Sequence, residues 1–315
     1  MLGACGDDGN GPTPIVQAPQ IACPADVTIS QVPGLSLTVT YPAPTVTGGA
    51  APTSVTCTPA SGASFPLGDT MVACVARDAQ AREASCSFKV SVKGFTLGAM
   101  KFQAVGDSLT AGENGLPSFV DLPNAYPTKL QALLTARYHT QTITVLNRGV
   151  SGQRVETLED LLPGMLNADR PDAVLLLTGY NNLTTPCSAG SFATIACSDA
   201  IDFTAVGVRD CIRRIKESPV GVKFIFVSTL TPPGPTGSKR IDANAIVDVN
   251  RRIRVHIGAE GATLVETHPL FQGREAELVS PDGLHLLPAG YQTVAEAFAF
   301  AIRTTIPQTP ALGYR

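Results

Sequence analysis

Ser108, Asp282 and His285 are the residues whose types and spacing could together do chemistry. Ser108 ends the run KFQAVGDS, a short apolar stretch that breaks into Gly106-Asp107-Ser108. A serine hydroxyl is a poor nucleophile until a base removes its proton. Four histidines could serve as that base, His139, His256, His268 and His285. His139 and His256 fall in helix-like stretches and read as surface or packing residues. His268, in ETHPLF, follows a strand-like run and is a rival by position. His285 has Asp282 three residues before it. At that spacing a carboxylate can accept from the ring Nδ1–H and leave Nε2 free to take the serine proton. The chemistry would be acyl transfer, which also needs donors aimed at a developing oxyanion. The Ser108 N–H, the Gly152 N–H and the Asn181 side-chain amide are the candidates. Each residue has a plainer reading: a strand-ending turn at 106–108, a turn glycine at 152, a loop cap at 181, and a helix flank at 282–285. Asp107 reads as a support for the loop.

The surrounding pattern decides between these readings. KFQAVG, TITVLN, AVLLLTG, KFIFVSTL and ATLVET are strand-like. Between them lie amphipathic stretches at about 125–138, 155–168, 200–217 and 241–258, with a final helix near 288–304. Continuous apolar strands alternating with helices predict a parallel sheet covered on both faces. Ligands of such sheets sit at the carboxyl ends of the strands. Asp107-Ser108, NRGVSGQ, GYNN and SPDGLHLLPAGY all fall there.

Residues 21–93 have a different character. DVTIS, LSLTVTY, SVTCT, TMVACVA and CSFKVSV alternate with Pro, Gly and Asp turn signals, which predicts an all-β sandwich. The chain of 315 residues is thus expected to hold a tether at 1–20, a sandwich at 21–93, a linker at 94–98, an α/β unit at 99–306 and a tail at 307–315. It is 44% hydrophobic and 16% charged, with a net charge of −3. No basic block suggests nucleic acid. Eight cysteines lack the paired spacings of a zinc site. Four of them fall within 23–86 and read as disulfides made in an oxidising compartment, with three pairings open. Cys187 and Cys197 are placed to close the long 183–203 segment as a lip over the site, with Cys211 the competing partner.

Two family resemblances sharpen these expectations. CPADVTIS, VTYPAPTVTGG and SVTCTPASGASFPLGDTMVACVARDAQAREASCSFKVSV resemble a hyalin-repeat (HYR) module. That implies an immunoglobulin-like fold, Cys23–Cys86 and Cys57–Cys74 bridges, and an adhesion or spacer role with cell-surface or polysaccharide contact. Ala81 stands where that family usually has glycine. GDSLTAG, NRGVSGQRVETL, GYNNL and DGLHLLPAGY, in that order, resemble the SGNH (GDSL-type) serine hydrolases over about 100–305. The resemblance implies a flavodoxin-like three-layer α/β/α fold and a carboxylic ester hydrolase acting on short to medium acyl chains. Its catalytic residues would be Ser108, Asp282 and His285, its oxyanion hole Ser108, Gly152 and Asn181, and it would need no cofactor. A polymeric ester is an alternative substrate, making a polysaccharide O-deacetylase. A surface adhesion protein with a silent hydrolase domain is the alternative of another class. Asn182 departs from the aspartate common in the family. Leu2-Gly3-Ala4-Cys5 resembles the end of a bacterial lipobox. It implies export to the cell envelope with a lipid on Cys5 as the membrane contact, the signal peptide removed and Met1 supplied for expression.

Overall fold

The computed structural model describes residues 16–30, 36–115 and 119–310. Cys5 and most of the expected tether lie outside the described residues, as does 311–315 of the expected tail. The chain divides into two compact units. The first runs to Phe95 and includes Pro310, and the second is Thr96–Thr309.

In the first unit the strands are β1 (Gln20–Ala22), β2 (Val27–Ile29), β3 (Ser36–Val39), β4 (Thr45–Thr47), β5 (Ser54–Thr58), β6 (Ala63–Pro66), β7 (Gly68–Arg77) and β8 (Glu83–Val92). β2, β8, β7 and β5 form one sheet in that order, while β3 pairs with β6 and β1 with β4. Strict alternation along β7 turns Val72, Cys74 and Ala76 inward. Val72 and Cys74 meet Val39, Tyr41, Phe65, Phe88, Val90 and Val92 in one core. Each large side chain fully buried there contributes about 1.5–3 kcal/mol. Cys23–Cys86 and Cys57–Cys74 are bridged, the pairings that the resemblance implied. A core this small gains from each cross-link, typically about 2–4 kcal/mol.

The β7–β8 turn explains the Ala81 departure. The Asp78 carboxylate accepts from the N–H groups of Gln80 and Arg82. The chain then needs a left-handed residue to enter β8, and Ala81 takes it at φ 63°. An alanine there costs roughly 1 kcal/mol more than the glycine usual in the family. Residues 16 and 17, expected in the tether, are held instead: Gly49 N–H donates to the Gln17 carbonyl and the Arg82 guanidinium to those of Val16 and Gln17.

From Phe95 on, the chain forms β9 (Phe95–Leu97), β10 (Lys101–Gly106), α1 (Ser108–Ala111), α2 (Tyr126–Arg137), β11 (Thr144–Gly149), α3 (Val155–Asp169), β12 (Ala173–Leu177) and α4 (Tyr180–Leu183). It continues with α5 (Ile195–Lys216), β13 (Phe224–Ser228), α6 (Ala243–Glu260), β14 (Thr263–Val265), α7 (His268–Phe271), α8 (Glu275–Leu278), α9 (Pro288–Thr305) and β15 (Gln308–Pro310). The main sheet is parallel in the order β11-β10-β12-β13-β14. The uninterrupted apolar run of β12 is buried at every residue. α2 and α9 pack together, with Tyr126 stacked on Phe298 at 5.2 Å, while α3, α5 and α6 form the other layer. The strand order reverses at β10, so the crevice for a ligand opens at the ends of β10 and β12.

Two boundaries differ from expectation. Residues 95–97, expected in the linker, form β9, which pairs with β15 from the expected tail. The Gln141 side chain imitates a strand against β9, accepting from the Leu97 N–H at 2.6 Å and donating to its carbonyl at 3.0 Å. The 183–203 segment is also not one long loop. Thr194 Oγ1 accepts from the Cys197 N–H and starts α5 at Ile195. Cys187 pairs with Cys197, and Cys211 is free and buried. Both bridged cysteines are fully buried. The Asp242 N–H donates to the Cys187 carbonyl at 2.7 Å. The expected bridge forms, but as a buried staple between Cys187 and the first turn of α5, beside the start of α6.

Candidate active site

β10 ends where its backbone comes closest to β12. Gly106 has φ 153°, and a Cβ there would lie 1.9 Å from the Leu177 carbonyl oxygen. Only glycine fits, and the chain passes directly into α1. The Asp107 carboxylate caps that helix by accepting from the Leu109 N–H at 3.1 Å. Full burial pushes the Asp107 carboxyl up to about 7, against the pull of the Leu109, Tyr180 and Gly179 N–H groups and of His285. Asp107 is thus a buried cap behind the serine. Ser108 opens α1, and its N–H has no acceptor within the helix.

His285 reaches Ser108 from the loop before α9. Its Nε2 is 2.9 Å from Ser108 Oγ, and its Nδ1 is 2.6 Å from Asp282 Oδ2. The other Asp282 oxygen accepts from the N–H groups of Leu284 and His285, both at 3.0 Å. Partial burial raises the Asp282 pKa, but the His285 hydrogen bond and these two N–H groups outweigh it and hold it at about 2. The proton between the pair therefore sits on Nδ1, and Nε2 faces the serine as an acceptor. His268 is elsewhere. It opens α7, and its N–H donates to Thr229 Oγ1.

The loop from β13 to α6 cradles the Asp282 turn. The Gly234 N–H donates to the Gly283 carbonyl and the Lys239 N–H to that of Asp282, both at 3.0 Å. Lys239 Nζ stands 3.6 Å from Asp282 Oδ2. At Gly237, with φ 118°, a Cβ would fall 2.1 Å from the Asp282 carbonyl carbon.

The oxyanion candidates sit at the start of α1 (Ser108), in the loop after β11 (Gly152) and in α4 (Asn181), and these segments are tied one to the next. The Val150 N–H donates to the Gly106 carbonyl at 3.0 Å. Asn181 Nδ2 donates to the Gln153 carbonyl at 3.0 Å, which leaves its second hydrogen unspent. Gly152 sits between them at φ 76° with open space where a Cβ would go, so backbone conformation and not crowding calls for glycine. Asn182 is buried, accepting from the Val155 N–H at 3.0 Å and donating to Glu156 Oε2 at 2.9 Å. That donor accounts for the departure from aspartate. Burial raises the Glu156 pKa, yet Asn182, its own N–H and Arg154 hold it below the usual range. Asn182→Asp is expected to cost about 1 kcal/mol at pH 7, because two carboxylates would then face each other. The loss should shrink near pH 4, where one of them is protonated. Thermal unfolding at the two pH values checks this, and an equal loss at both rules out the charge explanation.

One neighbour of His285 escaped the sequence reading. Glu113 Oε2 lies 3.0 Å from Nε2. Gly112 closes α1 in the left-handed region at φ 100°, and the Glu113 N–H turns back to the Ser108 carbonyl. An acid directly after GDSLTAG was the available signal. Among the described residues no group of three or more His, Cys, Asp or Glu side chains could hold a metal ion, and no helix is long and apolar enough to cross a membrane.

Comparison with known proteins bears on the fold and the family. The fold is similar to that of an acetylxylan esterase from Geobacillus stearothermophilus, 23% identical over 65% of this chain and 94% of that one, with a TM-score of 0.51. It is likewise similar to an α/β hydrolase enzyme from the metagenome of Lake Arreo, Spain, 22% identical over 66% of this chain and 96% of that one, with a TM-score of 0.51. No curated protein matches the sequence. The HYR domain family matches residues 16–92, and the GDSL-like lipase/acylhydrolase family matches residues 104–293. The second match spans more than half of the chain, which therefore belongs to the GDSL-like lipase/acylhydrolase family.

Proposed function

We propose that the chain is a serine esterase that cleaves carboxylic esters of short to medium acyl chains through an acyl-enzyme. The observation that carries the reading is the unbroken relay Asp282–His285–Ser108, at 2.6 and 2.9 Å. Ser108 Oγ attacks the ester carbonyl while its proton passes to His285 Nε2. Asp282 holds the ring and stabilises the imidazolium. The N–H groups of Ser108 and Gly152 and the free Asn181 hydrogen receive the oxyanion. The alcohol leaves with the proton from Nε2. Water then repeats the attack, releasing the acid and restoring Ser108.

A second reading, removal of acetyl groups from polysaccharide, draws support from the acetylxylan esterase of similar fold. The HYR domain ahead of the hydrolase is suited to holding a polymer or cell surface. Three disulfides among the described residues suit an exported protein, anchored in the bacterial envelope by a lipid on Cys5.

The test is release of p-nitrophenol from p-nitrophenyl acetate and butyrate, with labelling by a fluorophosphonate. Turnover and labelling are expected in the native chain and in neither case with Ser108→Ala. No turnover at any acyl length would instead favour the silent, adhesive reading.

A further inference from the structure

We propose that Glu113 selects the leaving alcohol, favouring esters whose alcohol carries a hydroxyl on the carbon next to the ester-bearing one. This rests on the esterase reading above. The departing oxygen takes its proton from His285 Nε2, so it must come within hydrogen-bond reach of that nitrogen. Glu113 Oε2 already stands there, 3.0 Å from Nε2, beside Ser108 Oγ at 2.9 Å. Any alcohol that enters therefore arrives against a carboxylate.

The carboxylate is built into this position. The Glu113 N–H is held by the Ser108 carbonyl, its own carbonyl accepts from the Tyr291 hydroxyl, and it forms a β-bridge with Val120. Its side chain is only 17% exposed. Among the described residues no Lys or Arg lies within 4.0 Å of it, and its one ionic contact is His285, which becomes cationic only on taking the serine proton. A carboxylate only accepts hydrogen bonds. Substrate that covers it strips its water, at a cost, unless the substrate returns a donor. A vicinal hydroxyl, gauche to the ester oxygen, supplies that donor. An ether or an alkyl group at the same place does not. Acylated sugars and monoacylated diols carry the favoured arrangement.

The experiment compares 2-hydroxyethyl acetate with 2-methoxyethyl acetate, which differ at the donor alone. The native chain is expected to favour the hydroxyl ester in kcat/KM by roughly 10-fold or more, as for a hydrogen bond to a charged group. In Glu113→Ala the ratio should fall towards one. In Glu113→Gln, equal in size and still an acceptor, it should fall part of the way, and that variant carries the test if Glu113→Ala does not fold. A native ratio near one overturns the proposal, as does a native ratio kept in both variants. If neither ester nor p-nitrophenyl acetate is cleaved, the esterase reading fails and this one with it. Cleavage of both esters at one rate overturns only the selector.

Discussion

His285→Ala is expected to lower kcat on p-nitrophenyl acetate by roughly 10⁴-fold or more, while His268→Ala keeps activity within a few-fold. Both histidines are nearly buried, and both follow the carboxyl end of the domain's strands in the chain. What separates them is reach and support. His285 touches Ser108 and is oriented by a carboxylate held at about 2. His268 is bound through its backbone to Thr229, and its ring pKa is lowered by burial first and by Arg254 second. Asp282 stays ionised down to about pH 2, so its support of the ring persists through the whole range in which the enzyme could work. A depressed carboxyl pKa also adds stability that is complete above its ordinary value near 4. That contribution is lost as pH falls through about 2. A dead His268→Ala beside an active His285→Ala would reverse the assignment.

Gly237→Ala should be nearly as damaging without touching a reacting atom. The new methyl would overlap the Asp282 carbonyl carbon at 2.1 Å, its oxygen at 2.2 Å and the Gly283 nitrogen at 2.4 Å. These are backbone atoms, so the turn itself must move. Asp282 would then lose its alignment with Nδ1. A displacement near 1 Å costs about 10² in rate, and a loss of that size or greater in kcat is expected. Gly221→Ala is the control. Gly221 also has a positive φ, 73°, yet a Cβ there meets nothing within 4 Å. It should lose about 1 kcal/mol in urea unfolding and keep its kcat. Equal kcat losses in the two variants would mean that backbone strain, and not the push on Asp282, is responsible.

Position along the chain revealed some of this and hid the rest. β12 was readable because a strand buried on both faces must be apolar throughout. Asp282 and His285 were readable because three residues separate a donor from its acceptor within one turn. Glu113 was hidden because it reaches His285 across 172 positions of sequence, through a turn made by Gly112. The cradle around Asp282 was hidden for the same reason: 231–242 looks like any Pro/Gly-rich connection until its backbone donors meet Gly283 and Asp282. The start of α5 was missed because the apolar residues of its first turn do not continue the buried stripe of the helix: Ile195 is exposed and only Cys197 faces inward. β9 was missed because Gly94 and Gly98 on either side of it suggested a linker.

The grip of Gln141 on Leu97 bears on where the hydrolase can be cut free. A fragment opened at residue 98 would discard β9, leaving both amide atoms of Gln141 and the edge of β15 to solvent. Leu97 itself is 3% exposed, so its apolar contacts would go too. A start a few residues before Phe95 retains the clasp. An isolated catalytic fragment should therefore begin inside what looks like a dispensable spacer, and its first ordered residues would guard the end of the chain some two hundred residues later.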